Sequence, residues 1–143
     1  MKKLLYLLGF VHVLASCENK DLKKFVVQTK QGDEAYFVEV ADTKEKMIKG
    51  LMFRKTLQTD GGMLFLFDDS HHQPVAMWMK NTFVSLDMLF IDSNNVIIGI
   101  AENTEPLSLK TISPTNKKVS AVLEINAGEV KKHKIKTGDS VRF

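Results

Sequence analysis

The sequence predicts a mainly β fold with one or two short helices, a small barrel- or sandwich-like single domain. Three observations carry this expectation. The apolar runs are short and separated by Gly, Asn, Asp and Pro. Stretches with helical period are brief. The chain has 143 residues, and at roughly 100–200 residues per domain that is one domain. With 44% hydrophobic and 26% charged residues and only 3 Pro, it is neither disordered nor of low complexity.

The elements follow in order. Phe25 to Thr29 is a strand, Lys30 to Glu34 a turn, and Tyr36 to Val40 the return strand. Asp42 or Thr43 can cap a short helix that carries Met47 and Ile48 inward, and Gly50 supplies its stop. Such a helix is too short to stand alone and must dock on the sheet. Gly61-Gly62 is expected as a turn, and Met63 to Phe67, which has no polar face, as a strand buried on both sides. Asp68 to Pro74 is a polar loop, and Val75 to Thr82 the next extended piece. Leu86 to Ile91 and Val96 to Ile100 flank Asp92-Ser93-Asn94-Asn95, whose side chains suit a hairpin turn. Residues 102–118, with Pro106 and Pro114, form an irregular connection. Val119 to Asn126 is a strand, residues 129–134 one helical turn, and Ser140 to Phe143 the last strand.

The N-terminus reads as an address. Met1-Lys2-Lys3 is positive, and Leu4 to Leu14 is an apolar run broken only by Gly9 and His12 and shorter than the roughly 20 residues that span a bilayer. Leu14-Ala15-Ser16-Cys17 resembles the lipobox of bacterial lipoproteins. The resemblance implies a signal peptide over 1–16, cleavage before Cys17, a diacylglyceryl group on its thiol, a tether over 17–24 and a single domain over 25–143. The expected location is the cell envelope, facing periplasm or exterior, with the membrane as partner through lipid. Lys2 and Lys3 leave with the signal, so 20 basic residues become 18 against 17 acidic ones, a net charge of +1. That balance gives no reason to expect nucleic acid. The single Cys excludes a disulfide framework, and once lipidated it is no catalytic thiol.

Four segments in order resemble the domain-of-unknown-function family 192. They are Val38 to Ala41; Gly50-Leu51-Met52-Phe53-Arg54 with Gly62-Met63-Leu64-Phe65; Trp78-Met79-Lys80-Asn81-Thr82 running into Leu86 to Ile91; and Val122 to Gly128 with Gly138-Asp139. The resemblance covers about residues 25–143. It implies a compact β-rich domain, often exported, and no established activity.

Chemistry is sought in three places. Asp87 shares a strand face with Leu89 and Ile91 and so needs a cation or several donors. Arg54, Lys80, Asn81 and Thr82 are candidates, either as an internal ion pair or as a ligand pocket formed by Arg54, Trp78, Lys80, Asn81 and Asp87. In a regular strand Trp78 and Lys80 share one face while Asn81 points with Met77 and Met79, so a single pocket needs a bulge there. Trp78 reads most simply as a core residue. His71 and His72, with Met77 and Met79 beyond, form a soft donor set that would suit Cu(I). The methionines otherwise read as core gap-fillers. Glu39 and Glu124 alternate with aliphatic neighbours and are expected to be solvated or paired. Lys131 to Lys134 is a small basic patch on a turn.

No Gly-x-Ser-x-Gly, His-Glu-x-x-His, phosphate-binding or dinucleotide fingerprint occurs, and no cofactor is expected. The first reading is a non-catalytic module for a small ligand or an envelope partner protein. The alternatives are an envelope hydrolase using Asp87 as acid or base, and a Met/His copper carrier.

Overall fold

The computed structural model describes residues 21–68 and 74–143. Cys17, the whole of 1–16, His71 and His72 lie outside the described residues. The element order is β1 (Lys23–Thr29), β2 (Gly32–Ala41), α1 (Lys44–Lys49), β3 (Gly61–Leu66), β4 (Leu86–Ile91), β5 (Ile97–Ala101), β6 (Ala121–Asn126), α2 (Glu129–His133) and β7 (Ser140–Arg142). β1 therefore begins inside the segment expected as tether.

The seven strands form one sheet in the order β5-β4-β6-β3-β2-β1-β7. β2 and β3 are parallel, joined through α1, and the other neighbours are antiparallel. The ends of the sheet meet where Val96 bridges Ser140. There the Ile97 amide donates to the Asp139 carbonyl at 3.0 Å and the Val141 amide to the Asn95 carbonyl at 2.9 Å. The result is a nearly closed barrel-like sheet, which leaves little free strand edge to template aggregation.

Alternation along the central strands divides the apolar residues into two cores. Leu64, Leu89, Ile91, Leu123 and Ile125 point inward with Phe25, Val27 and Val38. Met63, Phe65, Met88, Phe90 and Val122 point outward into a second buried cluster with Leu51, Val75, Met79 and Val119. β3, β4 and β6 are therefore buried on both faces, as expected for Met63 to Phe67.

The outer core needs a cover, and α1 together with residues 74–84 and 112–119 provides it. The Thr43 hydroxyl caps α1 by accepting from the Lys46 amide, and Gly50 ends it with φ 46°. A Cβ on Gly50 would sit 3.2 Å from the Phe65 ring. Met47 packs on the outer core, but Ile48 is exposed rather than turned inward. The stretch from Val75 to Thr82 is not a ladder strand. It is held by paired amide bonds between Met77 and Ile112, both 2.9 Å, and by the Met79 amide on the Ser108 carbonyl at 3.0 Å. It keeps a two-residue alternation, with Val75 and Met79 buried and Ala76, Trp78 and Lys80 exposed.

Gly61 and Gly62 lie in β3, not in a turn. Gly62 has no room for a side chain, because a Cβ would come within 2.5 Å of the Glu124 carbonyl oxygen. The hairpin at Asp92 forms as expected. Asp92 Oδ1 accepts from the amides of Asn94 (2.9 Å) and Val96 (3.0 Å), and Asn95 takes φ 60°.

Candidate functional site

One row of the outer sheet face sets up the site. Across the ladder, Glu39 on β2 lies opposite Met63 on β3, Met63 opposite Glu124 on β6, and Glu124 opposite Met88 on β4. Glu124 thus sits in the middle of the sheet between two methionines, not in solvent as its neighbours suggested. It is only 4% exposed.

Glu124 has no partner among the described residues. Among the described residues no donor bonds its carboxyl and no charge offsets it, and burial alone pushes its pKa up to about 8. Every fully buried side-chain N or O atom has a hydrogen-bond partner. The carboxyl of Glu124 therefore keeps a sliver of exposure, and that opens into a cleft of ≈ 590 Å³ that Glu124 lines. The volume is in the range of small-molecule sites.

Two walls face each other across it. One is α1 and its C-terminal turn, with Met47, Ile48, Gly50, Leu51 and Met52; the other is the covering segment, with Ala76, Met77, Trp78, Lys80 and Thr82. Phe65 to Asp68 line the space beside Glu124. Trp78 is 49% exposed, and Lys80 Nζ lies 5.0 Å over its ring. Trp78 is thus a lip of the cleft, not the core residue expected. The six methionines among the described residues all belong to this side of the sheet. Met47, Met52 and Met77 line the cleft, and Met63, Met79 and Met88 lie in the outer core. The inner core holds none among the described residues.

The two walls are also tied to each other. The Phe53 amide donates to the Asn81 carbonyl at 2.8 Å, and Asn81 Nδ2 approaches Met52 Sδ at 3.9 Å. Both Phe53 (φ 65°) and Asn81 (φ 55°) hold left-handed backbone, which costs free energy for residues other than Gly and recurs at functional sites.

The model of the DUF192 family, described as "Uncharacterized ACR", matches residues 26–143. The chain belongs to DUF192. A crystal structure of a protein of unknown function from Novosphingobium aromaticivorans is similar, with TM-score 0.79 and 33% identity over 85% of each chain. So is that of a putative transcription regulator from Sinorhizobium meliloti, with TM-score 0.78 and 39% identity over 85% of this chain and 92% of that one. No curated protein matches.

The segments that carry the DUF192 resemblance converge on the cleft. Gly50, Leu51 and Met52 come from one, Phe65 from its continuation, Trp78, Lys80 and Thr82 from the next, and Glu124 from the last. Of the five residues expected to form a pocket, Trp78 and Lys80 line it; Arg54, Asn81 and Asp87 do not. Asn81 braces the walls instead. Arg54 grips Glu39, with Nη2 to Oε2 at 2.8 Å, and that carboxylate holds the guanidinium above its ordinary pKa. Asp87 does not pair with Arg54. It faces the barrel interior, where Oδ1 accepts from the Asn103 amide at 2.8 Å and Oδ2 from the Val130 amide at 2.9 Å. Its work is to fasten α2 and the segment after β5 to β4.

Met79 is fully buried, with its sulfur accepting from the Thr104 hydroxyl at 3.2 Å. Among the described residues no three His, Cys, Asp or Glu gather closely enough to hold a metal. A second titratable group sits at α2. The Tyr36 hydroxyl donates to Glu129 at 3.3 Å, and His133 lies against Glu34 (2.9 Å) and Glu129 (3.2 Å). Burial first, and the Glu129 charge second, raise the Tyr36 pKa. This network joins α2 to β2.

Proposed function

We propose that the chain is a lipid-anchored envelope protein whose DUF192 domain binds a small ligand in the Glu124 cleft without transforming it. The observation that supports ligand binding is the Glu124 carboxyl, without a partner among the described residues, beside an apolar space. An uncompensated buried acid weakens a fold, and an apolar residue of similar size between Met63 and Met88 would serve the core better. Local features that oppose stability concentrate where a protein meets something else.

The support for anchoring is the Leu14-Ala15-Ser16-Cys17 pattern. No helix among the described residues is long and apolar enough to cross a membrane; attachment in this reading is by lipid on Cys17. The hydrolase alternative gains no support from Asp87, whose two oxygens are both taken by backbone amides away from the cleft.

Native mass spectrometry of the full chain, purified without denaturation, tests the binding reading. The expected result is a mass above that of the lipidated polypeptide, absent from Glu124→Gln. A bare mass in both refutes it. For the anchor, Cys17→Ser should move the protein from the membrane to the soluble fraction; an unchanged distribution refutes that part.

A further inference from the structure

The cleft has two electrical levels. At depth the only ionisable group among the described residues is Glu124, flanked across the ladder by Met63 and Met88. At the rim stand Lys44, Lys49 and Lys80. Lys44 and Lys49 form no ion pair among the described residues, and Lys80 rests on the Trp78 ring. Two acids also line the opening. Asp42 is engaged by Lys46 at 2.7 Å, and Asp68 is not free either. Between the levels the walls are apolar, with Met47, Leu51 and Met77.

Each class of ligand meets these levels differently. A wholly apolar ligand would cover the last exposed edge of a carboxyl that already lacks donors, which is costly. An anion pushed to that depth would meet a carboxyl it can only oppose once ionised. A cation supplies what is missing, since a buried charge becomes tolerable when it is paired and hydrogen-bonded. A plain cation, however, must first pass three lysines. Building on the ligand-binding reading above, we infer that the cleft selects a short amphoteric molecule. Its ammonium or guanidinium head, carried on an unbranched apolar stem, pairs with Glu124, and an oxyanion at its other end rests on the lysine rim. Methionine walls suit such a stem because thioether side chains are flexible and polarisable and adapt to slim, mobile chains.

Isothermal titration of the full chain with 6-aminohexanoate, hexylamine and hexanoate separates the levels. 6-Aminohexanoate carries both charges, and each of the others carries one. The expected result is 6-aminohexanoate bound at least about tenfold more tightly than either. Glu124→Gln should lose that preference, and Lys49→Ala should narrow the gap to hexylamine. Near pH 7, a series of buffers differing in ionisation enthalpy should show a proton released on binding, because the cation ionises a carboxyl that is protonated in the free cleft. Hexanoate or hexylamine binding as well as 6-aminohexanoate, or an unchanged affinity in Glu124→Gln, overturns the inference but leaves a ligand site. No binding of any probe, alongside a ligand seen by native mass spectrometry, does the same. No probe binding together with a bare native mass removes both readings.

Discussion

Asp87 and Glu124 lie one ladder step apart, since Asp87 pairs with Ile125 and its neighbour Met88 with Glu124. Both are buried acids on central strands, yet they face opposite sides of one sheet. Asp87 points into the barrel and receives two backbone amides, one from each of two segments that must be held in place. Glu124 points outward and receives no hydrogen bond from any of the described residues. The same liability, a carboxyl out of water, is thus settled inside the protein in one case and left open in the other. Satisfied buried polar groups help specify a fold, whereas an unsatisfied one calls for an explanation of its own.

The contrast breaks most easily at Asp87. Asp87→Ala leaves the amides of Asn103 and Val130 without their acceptor and frees the start of α2. Each orphaned buried amide costs about 1–3 kcal/mol, and losing the anion adds to it. Urea unfolding should show a loss on the order of 3–5 kcal/mol. A loss under about 1 kcal/mol would mean that water replaces the carboxylate freely, and Asp87 would not be a fastening.

Glu124 should behave in the opposite sense. Its pKa is near 4.5 in the unfolded chain and about 8 in the fold. Between those values the folded state keeps a proton that the unfolded state has lost, so stability falls as pH rises through the window and levels off above it. Glu39, the other acid on this row, is already matched by Arg54, and the direct neighbours of Glu124 are methionines. The decline therefore belongs to Glu124. The difference between the parent and Glu124→Gln should grow from near zero at pH 4.5 to on the order of 3 kcal/mol in favour of Gln at pH 9. Parallel curves would show that the carboxyl has a donor after all.

Much of the frame was legible in sequence, because period-two alternation and turn chemistry are local. The hairpin at Asp92, the doubly buried β3 and the cap at Thr43 need only their neighbours. The same alternation rightly placed Trp78 with Lys80 and apart from Asn81. It could not say what lies over a face. Glu124 was expected in solvent or paired because it alternates with Leu123 and Ile125; its burial depends on α1 and on residues 74–84, remote in sequence. Trp78 and Ile48 were expected inside because they are large and apolar, yet the outer core is already filled by Leu51, Met79 and Phe90, leaving both at the cleft. Gly61-Gly62 resembled a turn because the usual signal of two glycines is conformational freedom, whereas Gly62 is there for closeness. The signal that could have found the site was weaker and was present: an acid in the middle of a strand too apolar to be half solvated.

That closeness gives a smaller effect. Gly62→Ala drives a methyl to 2.5 Å from the Glu124 carbonyl oxygen, against backbone that cannot swing aside. The strands must part slightly, at about 1–3 kcal/mol. Because the strain falls on β6 beside Glu124, ligand affinity should fall along with stability. Gly32→Ala, where a Cβ meets nothing within 4 Å but φ is +139°, controls for backbone strain alone: it should cost stability without touching affinity. Equal affinity losses in both variants would detach Gly62 from the site.

The smallest effect sharpens the comparison by adding a middle case. Glu39 shares the outer row with Glu124, but Arg54 meets it with a two-pronged bond, and the two side chains remain 24% and 23% exposed. Solvent screening at that exposure discounts the pair heavily, so Arg54→Ala should cost about 1 kcal/mol, less in molar salt. Arg54→Lys should recover only part of this, since an ammonium cannot reproduce the paired fork. Denaturant titrations at low and high salt measure both. The cost of each acid should then rank by what it has been given: two amides and full burial for Asp87, the half-buried Arg54 cation for Glu39, and for Glu124 no cost on neutralisation but a gain. If Arg54→Ala proves as damaging as Asp87→Ala, the outer row is as much a part of the scaffold as the barrel interior, and the open carboxyl beside it loses its claim to be the exception.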